Sequence, residues 1–367
     1  MTRKRERLKW WMNCHDRHDF LEKDINLQHM KKRIFKLLIV LSSAVLLIIW
    51  ISFTNSFEEL SLLIKSAKWY WLAVGFGCMV VYWALDAVIL HSIALTMTER
   101  QPLRDSIRVT MIGQFFNAIT PMAGAGQPVQ VYVMAKDGIK TGHAASIIII
   151  KTVLHQFVIV IYAIAAYLFK GTEFAARIPE FYYFFLLGIL VNMAFLVFYL
   201  LFLFNRQAAK KVLIFIFNLL RKMKFIKKVD LVEKRLESEL TSFSEGAEII
   251  QRKRRIIPYL VIAQFLQFSF IFAIPYFIQL AMEPQSVSMI NILAAQSMIT
   301  LISLLVPTPG ATGGVEGLSY MFYGLFFSRA FIIPAILVFR ILTYYTSVIF
   351  GGLFALYAPE KPLQREP

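Results

Sequence analysis

Long apolar runs separated by short polar breaks organise this chain. Residues 34–53, 69–95, 144–169, 179–204, 257–281 and 330–357 are apolar runs long enough to cross about 30 Å of hydrocarbon. Two further apolar stretches are interrupted. Residues 107–120 stop at Thr120-Pro121, and 128–135 resume after Met122-Ala123-Gly124-Ala125-Gly126-Gln127. Residues 288–306 stop at Pro307, and 315–327 resume after Thr308-Pro309-Gly310-Ala311-Thr312-Gly313-Gly314. The pattern predicts an all-α integral membrane protein with six spanning helices and two re-entrant Gly/Pro-broken hairpins, 107–136 and 288–327. An eight-span count, in which the broken segments cross fully, keeps both termini on one side and stands as the alternative.

Composition agrees with a membrane protein. The chain is 58% hydrophobic and 17% charged, with mean hydropathy +0.60, whereas soluble domains carry about 25% charged residues. The net charge of +16 raises the question of nucleic acid, and its placement answers against it. Most of the Lys and Arg fall in an arm over 1–33, in loops near 96–108 and 136–143, in a segment over 205–256, and in a tail over 358–367. Only Lys65, Lys68, Lys170, Arg177 and Arg329 fall in the opposite loops. This asymmetry predicts that the arm, segment 205–256 and both termini are cytosolic, and it suits anionic headgroups. Segment 205–256 reads as amphipathic helices lying on the membrane, with Phe215, Leu219 and Leu220 toward lipid. The membrane halves are then 34–204 and 257–357. Their hairpins enter from opposite sides, an inverted repeat of the kind that supports alternating access. Two cysteines exclude a disulfide framework. The first apolar run is too long for a secretory signal.

Each broken hairpin is followed by a helix carrying a cation, Lys151 in one and Arg340 in the other, at nearly the same spacing. Paired discontinuous segments point to a binding site near the midplane. Gly126-Gln127 and Gly313-Gly314 would begin half-helices whose N-termini, with free N–H groups and partial positive charge, suit a phosphate. Glu316 is placed to cap the second half-helix. His155 lies one turn beyond Lys151, with Gln156 beside it, and Tyr344 holds the matching place after Arg340. These residues form the candidate headgroup site. The plainer readings are that the breaks are packing kinks, that Lys151 snorkels to the cytosolic headgroups, and that His155 is a satisfied packing group. Asp86 is the main acid within a span. It either pairs with one of the cations or sits solvated near the cytosolic end. The run Cys14-His15-Asp16-Arg17-His18 has no second ligand pair, so no metal is expected. No nucleophile elbow, P-loop or dinucleotide fingerprint is present, and no cofactor is expected.

Phe116-Asn117-Ala118-Ile119-Thr120-Pro121-Met122-Ala123-Gly124-Ala125-Gly126-Gln127-Pro128-Val129-Gln130-Val131-Tyr132 resembles the first signature of the lysylphosphatidylglycerol synthase transmembrane family. Pro309-Gly310-Ala311-Thr312-Gly313-Gly314-Val315-Glu316-Gly317 is similar to the second. The resemblance implies a flippase-like protein of the bacterial plasma membrane, like the membrane domain of the multiple peptide resistance factors. That domain moves aminoacylated phosphatidylglycerol between leaflets, while a separate soluble domain transfers lysine from lysyl-tRNA. Nothing up to Pro367 matches the synthase domain, so the resemblance does not carry catalysis to this chain. Many relatives have Gly-Glu in place of Gly126-Gln127. The change removes a carboxylate available to a cationic headgroup and leaves the aminoacyl-lipid substrate open. The implied partners are an anionic phospholipid, the bilayer, and, in an alternative enzymatic reading, a soluble synthase or glycosyltransferase on another chain. A homo-oligomer is compatible with the sequence.

Overall fold

The computed structural model describes residues 67–98, 101–121, 124–205, 207, 210–211, 230–283 and 287–356. All lie within one compact unit, Thr54–Pro367. The basic arm, the expected first span 34–53, the Cys14–His18 run, Phe215, Leu219, Leu220 and the tail lie outside the described residues.

The helices are α1 (Trp69–Met97), α2 (Leu103–Ile119), α3 (Gly126–Lys136), α4 (Thr141–Arg177), α5 (Phe181–Phe204), α6 (Asp230–Arg252), α7 (Ile257–Met282), α8 (Met289–Ser303), α9 (Gly314–Tyr323), α10 (Arg329–Arg340) and α11 (Thr346–Leu356). Among the described residues there is no strand, only one antiparallel bridge between Pro121 and Pro309. Among the described residues, five helical stretches are long and apolar enough to cross a membrane: 69–97, 141–177, 181–204, 254–282 and 329–356. The chain is an all-α integral membrane protein.

The two interrupted stretches fold as helix–break–helix. α2 has 17 residues and α3 has 11, about 25 and 16 Å at the helical rise. The break between them is held by Thr120, whose hydroxyl donates to Phe116 O at 2.6 Å and accepts from Ala125 N–H at 3.2 Å. α2 and α3 pack closely, because a Cβ on Gly126 would collide with the Asn117 amide. In the second stretch, α8 has 15 residues and α9 has 10. Its break runs through the left-handed region at Gly310 (φ 58°), Ala311 (φ 52°) and Gly313 (φ 88°). A side chain on Gly310 would also meet the Tyr344 ring.

α1 and α7 run antiparallel against each other. Lys68 N–H donates to Ala281 O at one end (3.0 Å), and Lys253 Nζ donates to Thr96 O at the other (2.9 Å). α4, with 37 residues, is about 55 Å long and exceeds the bilayer thickness. The sequence reading ended this span at 169. The helix continues to Arg177, and Lys170 and Glu173 pair on its extension at 2.9 Å. α6 carries an apolar face as expected, but that face is covered by protein. Phe243, Ala247 and Ile250 pack into a core with Ala144, Ile147, Ile93 and Leu260. Glu239 accepts the Gly142 N–H at 2.7 Å, capping the start of α4.

Candidate functional site

The first ion pair joins α1 to α4. Asp86 is 3% exposed, and its Oδ1 lies 2.8 Å from Lys151 Nζ. Its other oxygen accepts from Gln114 Nε2 of α2 at 3.2 Å. A carboxylate buried to this degree requires such partners, since an isolated buried charge is very costly. Asp86 is therefore paired with Lys151, the first of the two readings its sequence position allowed. Lys151 meets its counter-ion within the protein, so its amine is not free to snorkel.

This pair opens on a cavity of about 370 Å³ lined also by Gln127, Asn117, His155, Gln156 and Tyr199. The His155 ring sits 4.8 Å from the Phe268 ring, centroid to centroid. Gln156 is tied to α5: its Nε2 donates to Asn192 Oδ1 at 2.5 Å. Asn192 Nδ2 in turn donates to Leu301 O of α8 at 3.0 Å.

The second ion pair is built differently. Arg340 closes α10 and is followed by a π-helical turn, Ile341–Tyr345, a distortion frequent at functional sites. Its Nε lies 2.6 Å from Glu316 Oε1, and its Nη1 donates to Gly310 O at 3.0 Å. Its Cζ stands 5.3 Å from the Tyr344 ring centroid, within cation–π range. Glu316 Oε2 accepts the Gly313 N–H at 2.7 Å, so the expected cap is present. The same carboxylate stands at the start of α9, where a phosphate was expected. In the first half the counter-ion comes from a preceding span. In the second it comes from the hairpin itself, whereas the start of α3, Gly126-Gln127-Pro128-Val129, carries no carboxylate.

Arg340 and Tyr344 line a second cavity of about 210 Å³ with Thr343 and Ser347. Tyr82, Gln114 and Asn117 line both cavities. A third, of about 280 Å³, shares His155, Gln156 and Leu304 with the first and reaches Asn192, Gly310 and Ala311. Gln127, Lys151, His155, Gln156 and Asp86 are thus brought together on one cavity, and Arg340 and Tyr344 lie on its neighbour. Gly126 is buried against Asn117. Gly313, Gly314 and Glu316 form the start of α9 and reach the second cavity through Arg340. The sequence pattern gathers Lys151 and Arg340 into one candidate headgroup site. The structure puts them on the walls of adjoining cavities, each with its own carboxylate.

Tyr82, Gln114, Asn117 and Tyr199 escaped the sequence reading. Tyr82 precedes Asp86 by one helical turn, and Gln114 and Asn117 stand three apart in the more apolar second half of α2. That spacing on one helix face was the available signal.

With the two broken hairpins and their ion pairs in view, the family can be stated. The model of the lysylphosphatidylglycerol synthase TM region matches residues 33–351. This chain belongs to that family. It is also similar to a UPF0104 membrane protein of Archaeoglobus fulgidus, with 26% identity over 301 residues covering 80% of this chain and 88% of the relative. The family match takes in both hairpins, Asp86, Lys151, Glu316 and Arg340.

Proposed function

We propose that this protein is a flippase-like transporter that moves a phospholipid between leaflets, with the headgroup in the two adjoining cavities and the acyl chains left in the bilayer. The headgroups expected from the family resemblance are phosphatidylglycerol and its lysyl ester. The observation that carries the reading is the pair of buried cations beside two meeting hairpin breaks. Broken backbone within a membrane is tolerated where it is buried in protein or lines a wet cavity, and ionisable groups there mark substrate pathways. Rocking the two halves about the Pro121–Pro309 contact would expose the cavities alternately. The setting proposed is the bacterial plasma membrane, with both termini cytosolic.

The test is reconstitution of the full chain into vesicles with acyl-labelled phospholipids, followed by quenching of the outer leaflet. Transport predicts loss of signal beyond the outer half, dependent on Lys151 and Arg340. Signal that stays at the outer half for every lipid refutes it. The family's description also names a synthase, which supports a second reading: the membrane subunit of an aminoacyl- or glycosyl-lipid transferase whose catalytic domain is on another chain.

A further inference from the structure

Resting on the transport reading above, we infer that the joined cavities select a net-neutral, zwitterionic headgroup, one phosphate and one primary ammonium, over an anionic or a cationic one. The first ground is a charge count. Among the described residues, Asp86, Lys151 and His155 are the acid and basic groups on the first cavity, and Arg340 with its partner Glu316 serves the second. Each cation already holds one carboxylate, at 2.8 and 2.6 Å. With His155 neutral, the walls carry no net charge.

A headgroup bearing only a phosphate therefore meets no cation that lacks a counter-ion. Either it brings unbalanced negative charge into a poorly solvated space, or it takes Lys151 and strands Asp86. Both leave a buried charge without a partner. A headgroup with a surplus ammonium meets the opposite problem, because Gln127 on the same wall is an amide and adds no negative charge. A zwitterion exchanges partners pairwise. Its phosphate takes Lys151, its ammonium takes Asp86, and no charge is left alone.

The second ground is a buried donor without a partner. Arg340 is 7% exposed and lines the second cavity, yet its Nη2 has no acceptor. One open donor asks for a phosphate oxygen. This atom fixes the phosphate, and the charge count chooses the amine.

The experiment places the full chain in phosphatidylcholine vesicles with trace acyl-labelled phosphatidylethanolamine, phosphatidylglycerol or lysylphosphatidylglycerol. The matrix lipid competes equally with each probe, so the ratio of rates reads selectivity. The ethanolamine probe should cross at least about tenfold faster than either of the others, since stranding one buried charge exceeds one decade. Asp86→Asn should slow that probe by about tenfold and shift preference toward phosphatidylglycerol. The double variant Asp86→Asn/Lys151→Gln removes the pair without leaving a lone charge and should bring the rates of the three probes together. If the parent moves phosphatidylglycerol or the lysyl ester as fast as the ethanolamine lipid, the inference is overturned and transport stands. If no probe moves, the transport reading falls and the inference with it. Poor folding of Asp86→Asn does not obscure the result, because the parent ratios decide it.

Discussion

Replacing Arg340 with alanine is the most informative perturbation of this site. The variant loses the Nε contact with Glu316 and the Nη1 bond to Gly310 O. It also leaves Glu316, largely buried, with the Gly313 N–H as its remaining contact among those described above. A hydrogen bond to a charged group contributes about 1.5–3 kcal/mol, and removing one partner of a buried pair costs about 3–5 kcal/mol because the survivor is stranded. Arg340→Ala should therefore destabilise the protein by about 3 kcal/mol. Glu316→Gln in the same background removes the stranded charge, so the double variant should recover at least about 1 kcal/mol relative to the sum of the singles. Arg340→Lys keeps the charge but not the fork, since one ammonium cannot serve Glu316 and Gly310 along two fixed directions, and should fall between. The assay is equilibrium unfolding in mixed micelles, with lipid transport measured on the same preparations. Transport by Arg340→Ala should fall at least about tenfold, one decade being 1.4 kcal/mol. If the single variants cost less than about 0.5 kcal/mol, or add without coupling, the ion pair contributes little and the reasoning is wrong.

Three further outcomes are expected. A cysteine at Glu173 should react with an impermeant reagent added outside and one at Arg254 should not, because the basic loops are read as cytosolic. The reverse result would invert the topology. Gly310→Ala forces an L side chain to φ 58° and into the Tyr344 ring, and should lower stability by about 1–3 kcal/mol, checked by the same unfolding assay; an unchanged midpoint would mean that the break relaxes freely. Purified protein given lysyl-tRNA and phosphatidylglycerol should form no aminoacyl lipid detectable by mass spectrometry, and product formation would move the chain to the enzymatic reading.

Different parts of this structure were legible for different physical reasons. The five described spans and the two breaks were readable because length and hydropathy are local, and because Pro and Gly act where they stand. The Glu316 cap was readable for the same reason, lying three residues from Gly313. The partner of Asp86 was not fixed, since the contact joins α1 to α4 and depends on how two long helices rotate against each other. The fate of α6 was missed for a related reason. Periodicity shows that Phe243, Ala247 and Ile250 share a face, but lipid and protein are both apolar covers, and the sequence does not say which one arrives. The pairing of Lys151 and Arg340 with separate carboxylates shows the limit of the matched-spacing argument. Equal spacing gave two equivalent places along the chain, while the counter-ions came from non-equivalent elements.

The contact between Pro121 and Pro309 has a mechanical consequence. Proline has no amide hydrogen, so the two residues that touch where the hairpin tips meet cannot donate to each other. Whatever holds the tips together there is supplied by neighbouring residues and by packing. Parting the tips breaks no hydrogen bond donated by either proline. An antiparallel bridge between two prolines takes its hydrogen bonds from the flanking backbone groups, so parting the tips would free those neighbouring groups, and closing them would pair the same groups again.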